Sequence, residues 1–517
     1  MSRHALDLML RLMPRWGFLI TSVFLLLSAS VAHGQDTITL LDENDKLLVW
    51  IGEGPEAGRH NVSNPGSLFL LDNLGNIQPL INVRPQTQRV HACGEGATSP
   101  DGRYFAFFMG LDEGELFLMR DAETPVVVDT IQALACVGSN AFQYSPDGRR
   151  FAYIAYEAGV TQDEFADGIL KIFDLETMTQ EIAFENVTAF DMNNEGVASV
   201  IFFTNTVGEA DEAAISWWDG TSQREISTLF PDNDNCKFTS ADIIIGQNDF
   251  FWVVVGHRCT VGDARTHWQL YQIDVALRGV TLISSAVQGG VFATFARTNN
   301  LFFSPNMDTL FFTVPDGATA NTTGIMALNL ADNTLSMPIE RQVVMPTYSG
   351  MDNSPPHFSP DGRWMAMVVT TPNNDNTLTV LDLTNPSLPP ITFAARRRGE
   401  VISHLAFTSD SQRLIFVAGE TDAGDNSLFA LDLDTGSEFR VRRGRFAPGM
   451  IVSPDGTRAA LSNWQIIEDS NEPPFQNFTV QEIETSVQNT LFIGAQIVDN
   501  KVTNQTFIFP LSWRRSG

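Results

Sequence analysis

Strand-length apolar runs separated by short polar turns recur along the chain from residue 37 to its end. The clearest stretch is 141–184, AFQYSPDGRRFAYIAYEAGVTQDEFADGILKIFDLETMTQEIAF. In it Ser145, Pro146, Asp147 and Gly148 stand between two apolar runs. Proline presets φ at the first central position of a turn, Asp suits the second, and Gly accepts the left-handed conformation that closes a hairpin. ILKIFD and QEIAF then flank LETMT, which makes a second hairpin. The stretch predicts four antiparallel strands of about five residues, apolar on both faces and therefore in need of neighbours.

The rest of the chain reads as imperfect copies. SPDGRYFA (99–106), SPDGRRFA (145–152), SPDGRWMA (359–366) and SPDGTRAA (453–460) share the turn and the strand after it. SPNMDTLF (304–311) and TSDSQRLIF (408–416) keep the position without the glycine, and AFDMNNEGVASVIFF (189–203) is more diverged. The second hairpin returns at 174–180, 329–335, 382–388, 432–438 and 482–488. Successive first turns lie mostly roughly 45 to 55 residues apart, the period of four-stranded propeller blades. TITLL (37–41), KLLVWIG (46–52), SLFLLD (67–72) and IQPLI (77–81) supply an N-terminal unit, and TFIFPLSW (506–513) offers an extra closing strand. No capped amphipathic helix is legible after residue 35.

The repeated SPDG-R-x-apolar-Ala hairpin followed by apolar-Asp-Leu resembles the WD40-like (PD40) repeat of the TolB β-propeller superfamily, over nearly all of 37–493. The resemblance implies an all-β fold, a single exported propeller of four-stranded antiparallel blades. Counting the first-hairpin turns and letting the chain ends share a blade sets the expectation at eight blades, within a range of seven to nine. The separate α/β domain that precedes the propeller of TolB itself is not legible, so a role in the Tol-Pal system is not carried over. Superfamily members include scaffolds, peptidase accessory domains and lyases, so the resemblance speaks to fold rather than activity.

Composition narrows the partners. The chain has 517 residues, 61 acidic against 32 basic, for a formal charge of -29, which repels phosphate backbones and argues against nucleic acid. Lysine occurs only at Lys46, Lys171, Lys237 and Lys501, so arginine supplies most of the positive charge. Residues 1–34 read as a signal peptide: Arg3, Arg11 and Arg15 precede an apolar run from Gly17 to Ala32 and a small-residue cleavage site. The expectation is a secreted or periplasmic protein with its propeller over 35–517 and no stable membrane span after cleavage. In an exported chain the four cysteines read as disulfides. Cys236 and Cys259 stand equally far from a turn at Gln247 and Asn248, which sets them opposite each other. Cys93 and Cys136 form the other expected pair, which needs an irregular linker.

Candidate chemistry follows from strand direction. If both turn types share one rim, the loops between second and third strands and the linkers between blades share the other. Those loops are acidic, with Asp163, Glu164, Asp167, Asp211, Glu420, Asp425 and Glu472 among them, and favour solvation over calcium binding. The linkers are basic: Arg89, Arg297, Arg396, Arg397, Arg398, Arg442, Arg443 and Arg445 could ring the channel mouth and hold a carboxylate or sulfate bidentately. The plainer alternative is solvated arginines paired with neighbours. His91, His357 and His404 lie in or before innermost strands, but nothing in the spacing makes them a metal site, and no cofactor or metal is expected. Trp217 and Trp218 read as packing residues, with a sugar platform as the alternative. There is no G-x-S-x-G elbow and no H-E-x-x-H. The reading that needs fewest features is a non-catalytic module binding a protein or anionic glycan at one rim. The alternative is a carbohydrate-active enzyme, a lyase or hydrolase, with its site at the channel mouth.

Overall fold

A computed structural model describes residues 40–52, 66–83, 89–91, 98–110, 113–132, 143–155, 168–203, 210–231, 234–246, 249–260, 266–288, 301–315, 323–342, 357–370, 376–395, 400–420, 424–467, 471–499 and 501–515. Residues 1–34, where a signal peptide is expected, and Cys93 and Cys136 lie outside them. Among the described residues every regular element is a strand, and all the pairings are antiparallel. The strands form seven four-stranded sheets, one seven-stranded sheet and a two-stranded hairpin. The seven-stranded sheet is two units sharing one long strand, Thr179–Met192, whose first half pairs with Gly168–Asp174 and whose second half pairs with Val197–Phe203.

Nine four-stranded units result, one more than the eight expected. The reason lies at the chain ends. TITLL was expected to open the first sheet, yet Leu40 and Leu41 are not in a strand, and the first strand is Asp45–Gly52. The place beside it is taken by the C-terminal strand Phe507–Arg515, so the N-terminal unit is completed by the far end of the chain instead of merging with a neighbour. The sharing of one sheet by both ends was legible in TFIFPLSW; the independence of that sheet was not.

Each sheet leans on the next through its own apolar cluster. Trp50 and Phe509 of the first unit meet Phe105, Phe107 and Phe117 of the second. Tyr104 and Phe108 meet Tyr153 and Phe173 of the third, and Phe238 and Ile243 of the fifth meet Phe202 and Ile215 of the fourth. The series runs on until Phe478 and Val480 of the ninth unit pack on Leu47, Val49, Ile508 and Trp513 of the first. Second and third strands are therefore apolar on both faces: Tyr104 to Met109 are all buried without alternation. Outermost strands such as Gln488–Ile493 are largely open.

The turn chemistry repeats with little variation. Ser145 Oγ donates to Asp147 Oδ1 at 2.5 Å and accepts the Arg150 amide at 2.8 Å, while Asp147 Oδ1 accepts the Arg149 amide. Ser99 with Asp101, Thr408 with Asp410, and Ser453 with Asp455 make the same bond. The Arg and Asp-Leu parts of the motif then meet: Arg149 reaches Asp174 at 3.3 Å and Arg363 reaches Asp382 at 2.9 Å. The following leucines, Leu175 and Leu383, donate their amides back to the carbonyls of Arg149 and Arg363. Both hairpin turns thus share one end of each sheet, as strand direction required.

The turn position that is glycine in Gly102, Gly148, Gly362 and Gly456, at φ between 68° and 73°, is Met307 and Ser411 in two copies, each held at φ 58°. A side chain there costs about 1 kcal/mol relative to glycine. Met307→Gly should raise the thermal midpoint by about one to two degrees. Ser411→Gly should gain nothing, because the buried Ser411 hydroxyl accepts the Asp361 amide of the preceding sheet at 3.1 Å and that bond is lost with the strain. A calorimetric scan showing no gain in Met307→Gly would mean the rim absorbs the strain elsewhere.

Candidate functional site

First strands of neighbouring sheets contact one another: Phe446–Val452 touches Phe507–Arg515 and Val401–Phe407, and Cys236–Ile245 touches Thr179–Met192 and Leu301–Phe303. These first strands form the inner layer through which successive sheets touch. Close approach there is built into Gly449, at φ 94°, where any Cβ would run into the Phe509 ring.

Asp191 sits on this innermost layer, in the second half of Thr179–Met192. Its carboxylate accepts the Ile245 amide at 2.7 Å from the inner strand of the next unit. One residue away, the Phe190 carbonyl accepts Gln143 Nε2 at 3.1 Å from the inner strand of the preceding unit. Asp191 is half-buried, and densely packed protein atoms lie around its carboxyl. Burial therefore pushes its carboxyl up to about 6, against the opposing pull of the Ile245 and Met192 amides. A carboxyl poised there exchanges protons near neutrality. The sequence contained a signal for it: AFDM places a carboxylate where other copies carry Gln143, Phe302, His357, Ala406 and Ile451. The reading in terms of hairpins passed over it.

Two of the histidines considered from the sequence also lie on inner strands. His357 is on His357–Phe358, and His404 is on Val401–Phe407 at φ 57°, where the register shifts between Ser403 and Ala406. The His404 Nδ1 accepts the Gly449 amide at 3.3 Å, tying adjacent inner strands together. For His91 the backbone alone is described.

The predicted arginine ring is only partly visible. Arg297, Arg396, Arg397 and Arg398 lie outside the described residues, as does the side chain of Arg89. Arg443 and Arg445 both pair with Asp425, at 2.7 and 3.3 Å, and the Arg443 hydrogen bond holds the Asp425 carboxyl below the usual range. Arg442 instead reaches across to the ninth sheet, to Gln481 and the Ser486 carbonyl. Arg442 and Arg443 lie on the outermost strand of the eighth sheet, Glu438–Gly444, and not in a linker as expected, whereas Arg445 does follow that strand; exposed pairs of this kind contribute about 0–1 kcal/mol. Trp218 is buried against Phe184 and under Arg150, and Trp217 packs on Phe251 of the following sheet, so both rings serve packing.

The expected Cys236–Cys259 disulfide is present, and the two residues are direct cross-strand partners. Among the described residues no helix is long and apolar enough to cross a membrane.

No family model and no curated protein matches the chain. Solved structures similar to it include dipeptidyl peptidase 4 of Porphyromonas gingivalis, at TM-score 0.46 and 12% identity over 78% of this chain and 60% of that one. A study of two prolyl endopeptidases gives TM-score 0.42 and 11% identity over 74% and 53%. An oligogalacturonate lyase in complex with manganese gives 0.40 and 12% over 86% and 99%, and TolB from Acinetobacter baumannii gives 0.24 and 12% over 71% and 84%. The chain spans little more than half the length of the peptidases. The expectation of a non-catalytic binding module is corrected here, because the similar solved structures are mainly peptidases and oligogalacturonate lyases. Likeness this distant carries nothing about substrate.

Proposed function

We propose that the nine units form a single exported β-propeller of the TolB-like repeat type, and that it is a carbohydrate-active enzyme working in its channel. The observation that carries the reading is Asp191, a carboxyl on the innermost layer raised to about 6 by its protein surroundings. In this role Asp191 is the general acid or base. As a base it takes a proton from the sugar ring; as an acid it gives one to the glycosidic oxygen. The linker arginines Arg89, Arg297, Arg396, Arg397 and Arg398 are assigned to the carboxylates or sulfates of an acidic polysaccharide, which their planar guanidinium groups suit.

A screen of acidic polysaccharides with the purified protein tests this. Expected is release of unsaturated ends if the reaction is elimination, or of reducing ends if it is hydrolysis. The triple change Arg396→Ala, Arg397→Ala and Arg398→Ala should raise KM at least tenfold with an unchanged melting temperature. Saturable binding without turnover on every polymer would remove the enzyme reading, and an unchanged KM would remove the arginine assignment.

A further inference from the structure

Cys236, Cys259 and His257 offer three ligand atoms that all lie within 4.8 Å of one another. Their convergence follows from register. Cys236 faces Cys259 directly across the fifth sheet's hairpin, and Phe238 faces His257 two residues along, so the histidine and both sulfurs share one face. The register shift between Phe238 and Ser240 comes after these pairs and leaves them in place. His257 is fully buried, with the Phe238 ring edge-on against its imidazole at 6.3 Å between centroids. The Cys236–Cys259 disulfide lies at the opposite end of the hairpin from its turn, beside the exposed Asp234, Asn235, Arg258 and Thr260. The cysteines themselves are buried, Cys236 at 1% and Cys259 at 9% exposure, so a small reagent has to enter at this end of the hairpin, past those exposed neighbours, to reach the sulfurs.

We infer that this cluster is a redox-gated site for a thiophilic divalent cation such as zinc, closed to metal as the disulfide and opened by its reduction. A dithiol reductant supplies two electrons and two protons: the S–S bond breaks, both cysteines become thiols, and the dithiol leaves as its cyclic disulfide. Binding of the cation then releases the two thiol protons, and Cys236, Cys259 and His257 supply two sulfurs and one nitrogen. Zinc takes such a set at about 2.3 Å for sulfur and about 2.0 Å for nitrogen in tetrahedral geometry, with solvent at the fourth position. The sulfurs need only move apart within the span that the three ligand atoms already occupy. The histidine is what separates this site from an ordinary structural disulfide.

The test uses the full chain, oxidised and reduced, titrated with cobalt(II) as a spectroscopic stand-in for zinc and then with zinc itself. Reduced protein should bind one equivalent with a thiolate-to-cobalt charge-transfer band, and oxidised protein none. Cys236→Ser should abolish the band, and His257→Gln should weaken binding at least tenfold. The double change Cys93→Ser and Cys136→Ser should leave it unchanged. Zinc should also raise the thermal midpoint of the reduced wild type but not of reduced His257→Gln, which separates ligation from mere folding defects. No band on reduction, equal affinity in His257→Gln, or a signal lost with Cys93 and Cys136 instead would each overturn the assignment.

Discussion

A chain ending at residue 506 should show no cooperative unfolding transition and should bind hydrophobic dyes. The strand it lacks, Phe507–Arg515, is the innermost strand of the first sheet and packs on both sides. Phe507 and Phe509 belong to the cluster shared with the second sheet, and Ile508 and Trp513 to the one shared with the ninth. At about 2 kcal/mol for each fully buried large side chain, their loss approaches the whole stability of a typical domain, about 5–15 kcal/mol. Trp513 also donates its indole N–H to the buried Asp45 at 3.0 Å. Arg514 is the milder probe. Buried to 1% exposure, its guanidinium donates to the carbonyls of Gly102, Arg103, Met119 and Asp121 on the second sheet. Burial lowers its pKa to about 10. Arg514→Met should cost about 3 kcal/mol in urea denaturation, since several buried acceptors lose their donor. A truncated chain that melts like the full one would show that the ends do not matter to closure.

Replacing Asp191 by Asn should cut turnover by about a hundredfold or more while stabilising the fold above pH 6. The sign follows from linkage. An unfolded Asp titrates near 3.8, whereas Asp191 in the native chain titrates near 6. Between these values the native state holds the extra proton, so this group's contribution falls as pH rises from about 4 to about 6 and is level beyond. Asparagine cannot ionise, and the variant should gain about 2 kcal/mol over wild type at pH 7. Loss of stability in acid belongs to other carboxyls. Hydrogen bonds from the Thr177 amide and hydroxyl and from Arg149 outweigh burial at Asp174. At Asp382 burial raises the carboxyl, but bonds from Arg363 and Thr384 outweigh it and hold it low. What they contribute is present at neutrality and lost as pH falls below 3.8. Full turnover in Asp191→Asn, with the stability gain intact, would leave the residue a structural carboxyl without a catalytic part.

Local chemistry alone specified the turns, the strands and one disulfide. Ser145, Asp147, Gly148 and Arg149 lie within five positions, and the bonds between them need nothing from the rest of the chain. Cys236 and Cys259 needed only a hairpin of the right length. The number of sheets, the independence of the sheet that both chain ends share and the acidity of Asp191 came from tertiary structure. Asp191 takes its properties from Ile245 and from the protein around it, and Arg514 from carbonyls nearly four hundred residues away in the chain. Likewise the pairing of Arg443 and Arg445 with Asp425 depends on where a loop lies in space. Short-range hydrogen bonds are written in consecutive residues, whereas desolvation and ring closure arise only once distant strands are packed.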